Sequence, residues 1–295
     1  MKKELSVLIP IYNCDCRQLV KALAEQAQLL TELNYELIIA NDASPLEEVK
    51  TWCSELEQLP HVQIVHLTEN HGRAAIRNLL AQKARYEWLL FLDGDMAIPS
   101  ETFVKDWLAA EAAEVAYGGY IVGPGERSSL RYIYEKQCEP MHRVEERRKR
   151  PQQHFHTCNF MIRRSIMLAN PFDERFRSYG YEDVFFGKQL LKAGVKITHI
   201  DNPAGFFDFE DNAHFVSKTE EGLRTLLAFR NDLRGYSQML TFVDGIHLSI
   251  VRFAIRLWHR LFGKIERRQL CGNSPSLTVF KIYKLGYFLC AEKER

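Results

Sequence analysis

The sequence predicts an α/β protein: a mainly parallel sheet with helices on both faces, followed by a helical extension. Three observations carry this. Apolar runs of strand length alternate with segments of helical period over roughly the first third of the chain. The connections between them are short, which sets successive strands side by side with helical crossovers. The apolar runs are continuous rather than alternating, as in strands buried on both faces.

The first strand is "LSVLIPIY" (Leu5–Tyr12). Leu19, Ala22, Leu23, Leu29, Leu30 and Leu33 follow at the three- and four-residue steps of one helix face. "YELIIAND" (Tyr35–Asp42) is a second buried strand. Ser44 then Pro45 reads as a helix start, cap and first-turn proline, with "EEVKTWCSEL" as its body. "VQIVHL" (Val62–Leu67) is a third strand, and a polar loop with Gly72 leads to a helix from about Arg73 to Arg85. "WLLFLD" (Trp88–Asp93) is the fourth strand. Beyond it the pattern is less regular. Val115–Gly123 reads as one strand, Ser128–Arg150 as a charged helical stretch and "HTCNFMIRR" as a strand. "YEDVFFGKQLLKAG" reads as a helix closed by Gly194. After Gly222 the pattern is helical and amphipathic.

At 295 residues the chain suffices for one large domain with an appendage. We expect a catalytic domain over 1–220, with halves 1–100 and 101–220, and an amphipathic helical region over 221–295. The formal net charge of +1 supplies no bulk field for nucleic acid, which is excluded as a partner. The seven cysteines are odd in number and lack CxxC spacing, which speaks against a zinc site or a disulfide framework and fits a reducing cytoplasm. The amino-terminal apolar run is short and broken by Pro10, so it reads as a strand rather than a signal peptide. No uninterrupted apolar stretch reaches the roughly 20 residues that span a bilayer.

Ligands of such sheets bind beyond the carboxyl ends of the strands. Asn13, Asn41, Asp42, Asn70, Asp93 and Asp95 end strands and should share one rim. "LLFLDGDMAIP" sets Asp93 and Asp95 one glycine apart. Their carboxylates suit Mg²⁺ or Mn²⁺ bound together with phosphate oxygens, and Gly94 allows close backbone approach. The pair equally suits a solvated Asp-Gly turn. Asp42 could accept the N3–H of a uracil ring or cap the helix near Ser44. Arg77 could meet a base or phosphate or lie on a solvated helix face. Pro10 and Tyr12 end the first strand, where Tyr12 could flank a base. Glu182 and Asp183 open a helix, complementing its dipole or supplying a general base for an acceptor hydroxyl.

"SVLIPIYN", "IIANDAS", "ENHGRAAIRNLLAQKA" and "LLFLDGDMAIP", in this order, resemble the nucleotide-sugar half of a family 2 glycosyltransferase of the bacterial polysaccharide type. The resemblance covers Leu5 to about Gly194 and implies the GT-A fold, a Rossmann-like sheet. It implies that Asp42 and Arg77 hold the base, with Pro10, Tyr12 and Gly94 beside the nucleotide sugar. It implies Asp93 at the ribose or metal, Asp95 on the metal, Asp183 as base, and Glu182 and Tyr181 at the acceptor. Asn41 stands where many members carry another aspartate. A further metal histidine is expected shortly after an Asn-Pro pair, but Phe206 stands there; His199 lies before it and His214 after it, and His214 is the substitute candidate.

"HLSIVRFAIRLWHRLFGKIERRQL" is a basic amphipathic helix. It suits either packing on the catalytic domain or peripheral contact with an anionic membrane. The expected activity is inverting transfer of a hexose or N-acetylhexosamine from a UDP-sugar to a glycan or lipid-linked glycan hydroxyl. The expected cofactor is Mn²⁺ or Mg²⁺. The expected location is the cytoplasm, with peripheral contact at the inner face of the membrane. An aspartate-dependent phosphohydrolase and a non-catalytic sugar-binding protein are the competing readings.

Overall fold

The computed structural model describes residues 1–111 and 114–293. The chain begins β1 (Glu4–Ile11), α1 (Arg17–Gln28), β2 (Asn34–Asn41), α2 (Glu47–Leu56), β3 (Val62–His66), α3 (Gly72–Lys83) and β4 (Trp88–Leu92). It continues β5 (Met96–Ala97), α4 (Phe103–Ala109), β6 (Val115–Tyr117), β7 (Tyr120–Val122), α5 (Leu130–Cys138), α6 (Val144–Lys149), β8 (Asn159–Arg163) and α7 (Arg164–Ala169). It ends α8 (Glu182–Lys192), β9 (Ile197–His199), β10 (Ala204–Phe206), α9 (Asn212–Ala228), α10 (Arg230–Leu233), α11 (Gln238–Asp244), α12 (Ser249–Leu270) and α13 (Leu277–Lys293).

The chain divides into two compact units. One comprises Met1–Gly123, Pro140–Arg177 and Phe186–Asp208; the other comprises Pro124–Glu139, Ser178–Phe185 and Phe209–Arg295. Segments from both sides of residue 220 thus enter the second unit.

The first unit holds a seven-stranded sheet in the order β3-β2-β1-β4-β8-β6-β9. β8 alone runs antiparallel to its neighbours β4 and β6. Its register pairs Phe91 with Phe160, whose rings stack at 4.8 Å. A smaller sheet has the order β5-β10-β7. Leu8, Ile38, Leu89 and Phe91 share one core with Ile76 and Leu80 of α3 and Phe186 and Leu190 of α8. The alternate residues Val7, Ile9, Leu37, Ile39 and Leu90 are equally buried on the opposite face. Both faces are therefore covered, as the continuous apolar runs require.

Several sequence expectations change. The run Val115–Gly123 is not one strand, because Gly118 and Gly119 turn the chain from the large sheet to the small one. Gly119 has φ of +85°, and a Cβ on Gly118 would lie 2.4 Å from the Asn202 oxygen. The buried Arg147 secures this crossing by donating to the carbonyls of Tyr117, Gly118, Ile200 and His142. The stretch Ser128–Arg150 breaks into α5, a 3₁₀ turn over Glu139–His142 and α6, since Pro140 cannot continue a helix. α1 stops at Gln28, so Leu29, Leu30 and Leu33 lie past it, and Leu29 is 80% exposed. Ser44 does not cap α2. The cap is Leu46, without a side-chain bond, and the Ser44 hydroxyl accepts instead from the Asn13 N–H at 2.9 Å. The closure of α8 is as expected: Gly194 has φ of +72°, Val195 donates to the Leu190 carbonyl and Gly194 to that of Leu191.

At the opposite end of the strands, buried Glu36 accepts from Ser6 Oγ at 2.6 Å and from the Arg85 backbone N–H and Nε, both at 2.8 Å. Glu36→Ala would leave the buried Ser6 hydroxyl and the part-buried Arg85 N–H without this acceptor and should cost about 2 kcal/mol. Thermal melts check this: Glu36→Gln should recover part of the loss, and an unchanged Tm for the alanine variant would refute it.

In the second unit, Leu130 of α5, Phe215 and Val216 of α9, Leu270 of α12, and Phe280 and Tyr283 of α13 form one core. Asn212 ties three of its segments, accepting from the Leu130 N–H and donating to the carbonyls of Ser128 and Gly272.

Candidate functional site

In the first unit the parallel register brings the carboxyl ends of four strands to one edge. Ile11 pairs with Asn41, Asn41 with His66, and Leu8 with Phe91. Tyr12, Asp42 and Asp93 therefore emerge side by side, with Tyr12 half exposed. The loop after β2 is tightly held: Ser44 donates its N–H to Asn41 Oδ1 at 3.0 Å. Asn13 and Ala43 adopt left-handed backbone, at φ of +53° and +56°. For alanine that conformation carries a steric cost and persists only where its surroundings demand it.

Asp42 is buried and does not cap α2. Its Oδ1 accepts the His71 N–H at 2.8 Å and its Oδ2 the Gly72 N–H at 2.9 Å, so it caps the start of α3 across the rim. Asn70 Nδ2 donates to the Asp42 carbonyl at 3.1 Å. Gly72 has φ of +85°, and a Cβ there would lie 2.8 Å from the Arg177 carbonyl oxygen.

The charge of Asp93 is balanced within the protein. Arg73 donates to Oδ2 at 2.9 Å, and Arg77 donates to Oδ1. Burial alone would raise the Asp93 pKa, but the two guanidinium charges outweigh it and hold the group below the usual carboxylate value. Arg77 is 1% exposed, donates to the Arg73 carbonyl and lies over the Phe172 ring at 5.8 Å. It is a buried prop for Asp93, whereas Arg73, 41% exposed, reaches the surface. The sequence reading overlooked Arg73. The available signal was its four-residue spacing from Arg77, which puts both guanidinium groups on one face of α3.

Gly94 follows directly. A Cβ there would lie 2.6 Å from Ile11 Cγ2, 2.9 Å from Cys14 Sγ and 3.2 Å from the Pro10 carbonyl oxygen, so the turn from β4 to β5 runs against the end of β1. The Met96 N–H donates to the Asp93 carbonyl, closing the turn. This puts Asp95 in an exposed position on the rim. Burial and then the Asp95 charge push the neighbouring Cys14 thiol up to about 12.

The remaining candidates lie in the second unit. Gly180 and Tyr181 are both left-handed, at φ of +98° and +69°, the latter strained for an aromatic residue. Buried Glu182 and part-exposed Asp183 then open α8, and Asp183 Oδ1 accepts the Val184 N–H at 2.7 Å. Burial first, then the Asp183 charge, push the Tyr181 phenol up to about 12, partly opposed by a hydrogen bond with Ser237. His214 is exposed in the first turn of α9, its N–H capped by Asp211.

His199, in the first unit, is structural. Its Nδ1 accepts from Arg147 and its Nε2–H donates to the Pro151 carbonyl. Burial holds its pKa down to about 4. Among the described residues no three His, Cys, Asp or Glu side chains gather as a metal-binding group. What the first-unit rim offers a divalent cation is the exposed Asp95 carboxylate. That hard oxygen donor suits Mg²⁺ or Mn²⁺ when phosphate oxygens and water complete the shell.

The chain is similar in sequence and in fold to several glycosyltransferases. Chondroitin synthase of Escherichia coli is 24% identical over 239 residues, which are 68% of this chain but 34% of that protein. An uncharacterized glycosyltransferase of Haemophilus influenzae is 27% identical over 134 residues, 44% of this chain and 52% of that one. The chain thus spans between a third and about half of these relatives' lengths. Residues 1–349 of TarS from S. aureus superpose with a TM-score of 0.55 at 17% identity, covering 99% of this chain and 90% of that one. The mannosyltransferase PcManGT of Pyrobaculum calidifontis gives a TM-score of 0.58 at 14% identity, covering 98% and 86%. The sheet and its helices have the GT-A architecture of these neighbours. The family model for glycosyl transferase family 2 matches residues 6–169, more than half of the chain, and the protein belongs to that family.

Proposed function

We propose that the protein is an inverting transferase moving a hexose or N-acetylhexosamine from a UDP-sugar to a hydroxyl of a glycan or lipid-linked glycan, with Mn²⁺ or Mg²⁺. The observation that carries this reading is the turn after β4. It holds Asp93 between two arginines and leaves Asp95 exposed beside it. Such a turn suits a diphosphate: Asp95 shares a cation with it, Arg73 lies near enough to Asp93 to face the same ligand, and Gly94 keeps the backbone close. Both Asp93 oxygens already accept guanidinium donors, so in this reading Asp93 addresses a ribose hydroxyl and the cation rests on Asp95. Asp42 retains acceptor capacity beyond its two backbone bonds, because a carboxylate has about four lone-pair sites. A uracil N3–H would use it, with Tyr12 and Pro10 flanking. The proposed cation shell contains oxygen ligands only, without His214. Asp183 takes the proton of the acceptor hydroxyl, and Tyr181 and Glu182 position the acceptor. Attack from the face opposite the leaving diphosphate inverts the anomeric centre. The reading puts this chemistry in the cytoplasm.

The neighbours are consistent with it: TarS has been solved with UDP and with UDP-GlcNAc, and PcManGT with GDP-Man and Mn²⁺. The phosphohydrolase reading loses ground, because its nucleophile would be an aspartate that two guanidinium groups already hold.

A thermal-shift panel of nucleotide sugars with and without Mn²⁺ tests the donor. Saturation to about 100 Kd stabilises the protein by about 2.7 kcal/mol. Asp95→Ala should lose the Mn²⁺-dependent part of the shift while the unliganded Tm stays within about 0.5 kcal/mol of wild type, since the residue is exposed. If no nucleotide sugar shifts the wild type, or Asp95→Ala keeps the full metal effect, the assignment fails.

A further inference from the structure

α12 packs in the second unit with a largely polar side inward. Arg252 pairs with Glu292 at 2.5 Å, and the His259 ring lies 5.2 Å from that of Tyr283. Gly263, Glu266 and Leu270 are its buried residues. The outward side is apolar. Ile250, Phe253, Leu257, Leu261 and Ile265 recur at three- and four-residue steps and are between 45% and 68% exposed. They form one stripe about 22 Å long at 1.5 Å rise per residue. Beside it Arg260, Lys264 and Arg268 form an exposed basic row at four-residue steps. The one acidic residue of α12, Glu266, is buried. An apolar stripe of this extent facing water marks an interaction surface. No described helix is long and apolar enough to cross a membrane.

We propose that this face of α12 lies in the interface of an anionic membrane. The stripe sinks to the boundary between headgroups and acyl chains, and the basic row meets lipid phosphates. Charge selects this occupant. A second copy of the chain paired face to face would set basic rows against a helix face with no exposed acid, whereas an anionic lipid surface neutralises them. The surface is separate from the donor chemistry proposed above and stands or falls independently of it.

Flotation of the full chain with phosphatidylcholine vesicles, with and without phosphatidylglycerol, tests the assignment. The wild type should float with the anionic vesicles and much less with the neutral ones, and added salt should weaken binding. Leu257→Glu with Leu261→Glu should abolish flotation. Arg260→Glu, Lys264→Glu and Arg268→Glu together should weaken binding to anionic vesicles at least roughly tenfold. Both variants should keep wild-type melting and wild-type thermal shifts with nucleotide sugars, which separates this surface from the donor site. A wild type that stays unbound to anionic vesicles at low salt overturns the proposal, as does equal flotation with neutral vesicles. A dimer in sedimentation equilibrium that Leu261→Glu dissociates, without vesicle binding, overturns it in favour of a second copy.

Discussion

Asp183→Asn is expected to lower transfer by about 10²–10⁴-fold, the range supplied by a positioned general base, while leaving UDP-sugar binding intact. Asparagine is the informative replacement. Asp183 Oδ1 accepts the Val184 N–H at the start of α8, and an amide oxygen can accept the same bond. The helix start is kept and only the basicity is removed. The Asp183 charge also helps, after burial, to hold the Tyr181 phenol at its raised pKa. The asparagine variant should therefore lower the Tyr181 pKa from about 12, readable by ultraviolet titration. Steady-state kinetics with a soluble acceptor check the main effect. Unchanged kcat in a folded variant would remove Asp183 from the base role. Equal loss of folding and activity would make the residue structural.

Arg77→Met is expected to destabilise the first unit by about 3–5 kcal/mol, the cost of stripping a buried charge of its partner. Arg73 remains on Asp93 Oδ2, which favours the lower end of that range. The pH dependence follows from the direction of the Asp93 shift. Its folded pKa is depressed, so the unfolded state binds the proton more readily. The stabilisation is full above the ordinary carboxylate value of about 3.9 and is lost as pH falls through the lower folded value. Urea unfolding of the wild type should show this acid loss. In Arg77→Met the loss should shrink, because protonating Asp93 then relieves an under-compensated charge. Adding Asp93→Asn to Arg77→Met should recover stability, since the two groups act as a pair. A variant with wild-type urea midpoints at neutral pH would show that Arg73 alone suffices.

The four parallel strands of the amino-terminal third were plain in the sequence, because a strand buried on both faces must be apolar at every position. The carboxylates that end them were plain for the same reason, since a charge cannot lie within such a strand. Partner choice among those charges was not. Asp93 and Asp95 look alike on paper, yet one is locked by guanidinium groups from α3 and the other is exposed. Asp42 suits either a uracil N3–H or a cap on the adjacent helix; the helix it caps is α3, contributed from beyond β3. Ser44 and Pro45 carried the right residue types for a helix start that the chain makes two residues later.

The sequence by itself determined the α/β class and the rim where polar residues collect, because hydrophobic periodicity and strand-end chemistry are local properties; the family came from the resemblance of four ordered motifs and the family-model match. Tertiary structure alone decided three further matters. One is the division of Val115–Gly123 between two sheets, which depends on what a Cβ at Gly118 or Gly119 would strike. Another is the compensation of Asp93 by Arg73 and Arg77, which depends on helix α3 meeting the end of β4. The last is the orientation of α12. Amphipathic period shows that a helix has an apolar side; only packing shows that this side faces solvent.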